Sequence, residues 1–194
     1  MKLNNEETVL LRMFKDFSSD YNANNLSKLF DITSMGVLKI LKRLEEQGLL
    51  VLRKVSNIKF YDFNFESSYA RDYISLLFRK EASNSSPSVK RWINEIRKIK
   101  NVEMVILFGS VLTKGKNAKD IDVLFLVKEK SFGKLKEEIR KLNLINDKKI
   151  HAVYQTKKDF INNLKNKDEV VLNILKGVII FGEKELINIL GRIK

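Results

Sequence analysis

Four residues within fourteen positions of this chain have the types and spacing of a site for phosphate and a cation: Gly109, Ser110, Asp120 and Asp122, in the stretch "FGSVLTKGKNAKDIDVLFLV" (108–127). Side chains alternate along a strand, so Asp120 and Asp122 project to one face while Ile121 and Val123 take the other. Two carboxylates about 7 Å apart on one strand face repel each other unless positive charge sits between them. A magnesium ion bridged by phosphates supplies that charge, because magnesium is held by one or two carboxylates together with phosphate oxygens. Gly109 lets the backbone approach a phosphate closely, and Ser110 is placed both to cap a short helix and to offer its hydroxyl to that phosphate. Lys114 and Lys116 stand by as charge partners.

The elements that must position these residues are legible around them. "VEMVILF" is an unbroken apolar run ending at Phe108, and "DIDVLFLV" is a second, both reading as buried strands. A later strand, "KKIHAVYQ", carries no acid: alternation puts His151 and Val153 on one face and Ile150, Ala152 and Tyr154 on the other. His151 is either a hydrogen-bonded structural residue of that strand or a ligand or base near the aspartates, and Asp147 precedes the strand, within reach only under a shifted register. The helix "VKRWINEIRKIK" places Trp92, Ile93, Ile96 and Ile99 on one stripe, which makes Trp92 a core residue. The C-terminal part reads as helix, helix, the short strand "VIIF", Gly182 and a last helix; Lys157, Lys158, Lys165 and Lys167 form a solvated face.

An apolar strand, Gly-Ser, eleven residues from Gly109 to Asp120, and Asp-x-Asp opening a second apolar strand resemble the signature of the DNA polymerase beta-like nucleotidyltransferase superfamily in its minimal prokaryotic form. The resemblance implies a mixed sheet flanked by helices and transfer of a nucleoside monophosphate from a nucleoside triphosphate with loss of pyrophosphate. It implies Gly109 and Ser110 as phosphate binders, with Lys114 and Lys116 beside them. Asp120 and Asp122 become the catalytic carboxylates and ligands of Mg2+ or Mn2+. Two metal ions would then activate the acceptor and neutralise the leaving group. The chain departs from the pattern in having Thr113 where arginine is frequent, Lys119 where serine is frequent, and no third carboxylate on "KKIHAVYQ".

Upstream, "NEETVLLRMFKDFSS" (5–19) has Val9, Leu10, Met13, Phe14 and Phe17 at helical spacing, and a short helix follows at "NNLSKLF". A third helix runs from an N-cap at Thr33 or Ser34 to a stop at Gly48, with Val37, Leu41 and Leu44 inward. "LLVLRKV" and "IKFYDFN" joined by "SN" make a hairpin. Three helices and a hairpin resemble the winged helix-turn-helix of prokaryotic transcription regulators. The resemblance implies that Ser34, Met35 and Lys39, with Gly36 beside them, face DNA bases, and that Lys42, Arg43, Arg53, Lys54 and Lys59 meet phosphates. Gly36 offers no side chain there, and Leu38 stands where a polar residue is more usual.

The expected fold is therefore α+β: residues 1–64 a winged helix-turn-helix, 65–88 a linker helix and boundary, and 89–194 a nucleotidyltransferase-like mixed sheet flanked by helices. The linker helix (65–82) carries Tyr69, Tyr73, Leu76 and Leu77 on one face, and "SNSSPS" (83–88), with the only proline, marks the boundary.

Composition narrows the chemistry. With no cysteine and one histidine, thiolate zinc and histidine-rich metal centres are excluded, leaving oxygen-ligated metals. No apolar run approaches eighteen residues and the first residues lack the pattern of a signal peptide, so a cytoplasmic protein without a membrane partner is expected. The net charge is +13, yet residues 1–66 hold ten basic and nine acidic groups, which leaves +12 for residues 67–194. A polyanionic partner is implied. Three readings stay open. One is an enzyme acting on a protein or nucleic acid. Another is a DNA-binding regulator whose second domain only binds nucleotide or assembles a homodimer. The third is an antitoxin-like protein that engages a partner toxin.

Overall fold

The computed structural model describes residues 2–194, and their chain contacts fall into two compact units divided between Leu77 and Phe78. The first unit begins with α1 (Asn5–Lys15), α2 (Ala23–Phe30) and α3 (Ser34–Glu46). Asn4 opens α1 with a capping box shared with Glu7, and Asn22 opens α2 with one shared with Asn25, so side chains satisfy the first free amides of each helix. Helix α1 is shorter than its apolar spacing predicts and ends at Lys15. Asp16 leaves helical geometry, and its carboxylate accepts from the hydroxyls of Ser19 and Tyr21. Thr33 caps α3 through the amide of Gly36, and Gly48, at φ +72°, follows its end.

Strands β1 (Leu50–Val55) and β2 (Ile58–Phe63) pair antiparallel with Val55 opposite Ile58, which leaves Ser56 and Asn57 as a two-residue turn; Ser56 has the positive φ that such turns require. Tyr21 bridges to Tyr61, adding a point of pairing beside the hairpin. Val9, Leu10, Phe14, Leu26, Val37, Leu41 and Leu44 are buried, the inward faces that the 3.6-residue period prescribes.

Helix α4 (Ser68–Asn84) spans the division between the units. Its buried face is Ala70, Ile74, Leu77 and Phe78, whereas Tyr69 and Leu76 are more than half exposed, so the predicted stripe of Tyr69, Tyr73, Leu76 and Leu77 is rotated from the real one. Ser86 caps α5 (Pro87–Ile96) and Pro87 takes its first turn, where a missing N–H costs nothing.

The second unit is built on a four-stranded mixed sheet in the order β5-β4-β3-β6. Strand β3 (Met104–Phe108) lies antiparallel to both β4 (Ile121–Leu126) and β6 (Val178–Phe181), while β5 (Ile150–Gln155) runs parallel to β4. The β3–β4 connection holds the short helix α6 (Val111–Lys114) and a 3-10 turn, Gly115–Asn117. The parallel step from β4 to β5 requires a crossover, and α7 (Phe132–Ile145) provides it, burying Leu135, Ile139 and Leu142 at i, i+4 and i+7. Helices α8 (Lys157–Lys165), α9 (Glu169–Leu175) and α10 (Glu183–Ile193) complete the unit. Trp92, Ile93, Ile96 and Ile99 are buried in its apolar core together with Val105, Leu107, Val123 and Phe125. Among the described residues no helix is long and apolar enough to cross a membrane.

Candidate functional site

The site assembles at one end of three adjacent strands. In the β3–β4 register Phe108 faces Asp122, and in the parallel β4–β5 register Asp122 faces His151. The end of β3, the beginning of β4 and the beginning of β5 therefore meet side by side. Ile121 and Val123 are fully buried, so alternation turns Asp122 to the opposite face, where its side chain keeps a quarter of its exposure. Asp120 lies two residues earlier, just ahead of β4, and is exposed.

Gly109 follows Phe108 with φ +77°, the left-handed region that glycine enters without steric penalty. A Cβ placed there would stand 2.1 Å from Asp122 Oδ2 and 2.9 Å from Asp122 Cγ. The turn thus runs its backbone directly against the carboxylate. Ser110 occupies the position before α6, but its hydroxyl makes no capping hydrogen bond, contrary to the expectation that it caps the helix. Its carbonyl accepts from the amides of Thr113 and Lys114 at 3.2 and 2.8 Å and from the Thr113 hydroxyl at 3.3 Å, so Ser110 holds the turn through its backbone, and its hydroxyl is not committed to capping α6.

His151 Nδ1 lies 3.2 Å from Asp122 Oδ1, and the imidazole is three-quarters exposed. The histidine thus lies beside Asp122. Asp147 does not: it accepts from Arg91 Nη2 at 3.0 Å. Desolvation pushes its carboxyl pKa upward, but the charge of Arg91 and hydrogen bonds from Arg91 and local amides outweigh that and leave it lowered. Lys114 and Lys116 are exposed in the connection between Gly109 and Asp120; the carbonyl of Lys116 accepts from Lys148 Nζ. Sequence reasoning missed Lys148, which also donates to the Ala118 carbonyl at 2.6 Å. Nothing in its local pattern marks it, because its partners are backbone atoms 30 and 32 residues away.

The donor set is hard: carboxylate oxygens from Asp120 and Asp122, with one imidazole nitrogen bound to the second. Among the described residues no group of three or more His, Cys, Asp or Glu is arranged to hold a metal ion. The residues present therefore fit a cation that arrives with phosphate oxygens as its remaining ligands, and do not fit one caged by the protein alone.

The cations expected to meet DNA are distributed unevenly. Ser34, Met35 and Lys39 are exposed on the first half of α3, and Lys42, Lys54 and Lys59 are exposed as well. The two arginines are engaged within their own unit. Arg43 pairs with Glu6 at 2.9 Å, and Arg53 donates to Asp62 at 2.8 Å and to Asp20, with its guanidinium over the Phe60 ring. The bonds to Asp62 and then Asp20 raise the Arg53 pKa further. Both side chains remain partly exposed, and each already has a carboxylate partner at the surface where a phosphate contact is expected.

A family model described as Polymerase beta, Nucleotidyltransferase matches residues 90–186, half of the chain, and spans every residue of the site described above. The chain belongs to that family of nucleotidyltransferases. No curated protein and no solved structure matches it.

The contact between Gly109 and Asp122 makes a direct prediction. Gly109→Ala forces the Asp122 carboxylate to swing away, because the colliding atom is the end of a rotatable side chain, and adds about 1–2 kcal/mol of backbone strain from the positive φ. Urea unfolding should register that modest loss. The ring resonances of His151, the only histidine, should shift as its partner leaves.

Proposed function

We propose that the second unit transfers a nucleoside monophosphate from a magnesium–nucleoside triphosphate complex to a protein or nucleic-acid acceptor. The observation that carries this reading is the packing of the Gly109 backbone against Asp122 beside a Ser110 hydroxyl not committed to capping α6, within a domain of the nucleotidyltransferase family. Ser110 binds the triphosphate through its hydroxyl, and Lys114 and Lys116 balance its charge. Asp120 and Asp122 would hold Mg2+ or Mn2+, which when bound neutralises phosphate charge. An acceptor hydroxyl bonds to the α-phosphorus as the bond to the bridging oxygen breaks. Pyrophosphate departs and the hydroxyl proton passes to water. His151 takes the third position, where it orients Asp122 without adding negative charge. A site with two carboxylates holds the nucleotide-associated cation better than a second, acceptor-activating one, so turnover is slow.

In the first unit, three helices and a hairpin with Ser34, Met35 and Lys39 exposed on α3 support a winged helix-turn-helix that binds DNA, with Lys42, Lys54 and Lys59 on phosphates. Arg43 and Arg53 serve that unit's own structure. We place both activities in the cytoplasm.

Incubating the purified protein with labelled nucleoside triphosphates, Mg2+ and total cell extract should label a macromolecule, and nuclease or protease treatment identifies its class. Replacing Asp120 and Asp122 together with asparagine should abolish Mg2+-dependent nucleotide binding and leave unfolding unchanged or stabilised through relief of repulsion. Binding that survives in the double mutant would refute the site.

His151→Asp supplies a third carboxylate next to Asp122 and should increase transfer, whereas His151→Ala should leave it low. Loss of a robust activity in His151→Ala, with no gain in His151→Asp, would instead make the histidine itself catalytic.

For DNA, replacing Lys54 and Lys59 with alanine should weaken duplex binding and reduce the slope of log affinity against log salt by about 2, roughly 1 per phosphate contact. Fluorescence anisotropy over a salt series measures both. Replacing Lys165 and Lys167 serves as the control for general charge.

A further inference from the structure

Asp120 is the least supported of the site residues. It stands outside β4, in a bend, is exposed, and lies beyond the paired registers of that strand, so its position depends on what holds the chain on either side of it. Both fastenings come from one place. On the upstream side, the half-buried Lys148 extends its Nζ to the carbonyls of Lys116 and Ala118, at 2.6 Å for the latter. On the downstream side, the amide of Ile121 donates to the carbonyl of Lys149 at 3.0 Å. Only Lys119 and Asp120 lie between the two attachments. Ala118 is itself buried and its amide returns to Gly115 at 3.2 Å, so the 3-10 turn and the staple form one rigid support.

The base of the staple is fixed in turn. Arg91 on α5 binds both Asn146 and Asp147, the Ile150 amide donates to Asn143 Oδ1 at 2.7 Å, and Lys149 Nζ reaches the Asn143 and Asn146 carbonyls. Lys148 makes no ion pair among the described residues. Its ammonium is spent on two backbone carbonyls, an arrangement that joins segments rather than neutralising charge.

We infer that Lys148 is a positioning residue for nucleotide binding: by pinning the carbonyls of Lys116 and Ala118 it holds the loop that carries Asp120 against the opening of β5, where Asp122 and His151 meet. This rests on the reading of Asp120 and Asp122 given under Proposed function. Lys148 spends its ammonium on the carbonyls of Lys116 and Ala118, so its removal is expected to act through the loop that carries Asp120. A methionine at 148 keeps the aliphatic stem and removes the donors; an arginine keeps donors and charge.

The test compares full-length wild type, Lys148→Met and Lys148→Arg by two measurements. The first is amide hydrogen exchange of residues 115–120 without nucleotide, which reads the staple independently of any activity. The second is titration with a fluorescent ATP analogue and Mg2+. Lys148→Met should accelerate exchange in 115–120 and weaken nucleotide binding roughly tenfold, the size of effect expected for lost charge-assisted hydrogen bonds. Lys148→Arg should restore most of both, and the thermal transition should move little in either variant. Wild-type exchange in Lys148→Met overturns the staple, and wild-type nucleotide affinity despite faster exchange overturns its positioning role. A wild-type protein that binds no Mg2+-nucleotide removes the proposed function, and the positioning role with it, and leaves exchange alone to decide whether the staple exists.

Discussion

The second unit depends on one close approach: a backbone that turns at residue 109 with no side chain, so that the Asp122 carboxylate can lie against it. The antiparallel register brings Asp122 opposite Phe108, which places the following residue beside the carboxylate whatever its type. Only glycine accepts both the positive φ and the absence of space. Once that carboxylate is confined from the β3 side, its remaining freedom is toward β5, where it meets His151. The site is thus a consequence of strand registry, with the polar groups placed by the same hydrogen bonds that build the sheet.

That dependence explains what was legible in the sequence. The Gly-Ser step and the alternating aspartates are local signals, and the two apolar runs that flank them are continuous enough to read as buried strands. The alternation of "KKIHAVYQ" likewise places His151 correctly once β5 lies beside β4. What alternation does not contain is the register that pairs residue 122 with 151 rather than a neighbour. The crossover helix α7 has an equally local signal in Leu135, Ile139 and Leu142, spaced at i, i+4 and i+7. Lys148 belongs to another category, since a side chain bonded to distant carbonyls leaves no periodicity behind. On α4 the apolar residues are numerous enough to allow two stripes, and packing selected Ala70, Ile74, Leu77 and Phe78.

Charge divides the two units in an unexpected way. Residues 78–194 carry 26 basic and 14 acidic side chains, a net of +12, while the unit with the three helices and hairpin is close to neutral. Within that near-neutral unit, Arg53 is surrounded by Asp20, Asp62 and the Phe60 ring, and Arg43 by Glu6. The long-range positive field therefore originates from the nucleotidyltransferase unit. The first unit contributes shape and a few exposed lysines.

The strand order has a consequence for how the protein comes into being. Strand β3 sits inside the sheet, but one of its neighbours, β6, is formed by residues 178–181, which follow β4 and β5 in the chain. As the chain emerges during synthesis, β3 and β4 can pair early through their short connection, and β5 can join after the crossover. The second edge of β3, fully apolar from Met104 to Leu107, stays open until residues 178–181 are available. An open apolar edge is a template for pairing with another chain. The late arrival of β6 thus makes the interval between the synthesis of β3 and that of β6 the period in which this edge is most exposed to pairing with another chain, and β6 is the strand that closes it.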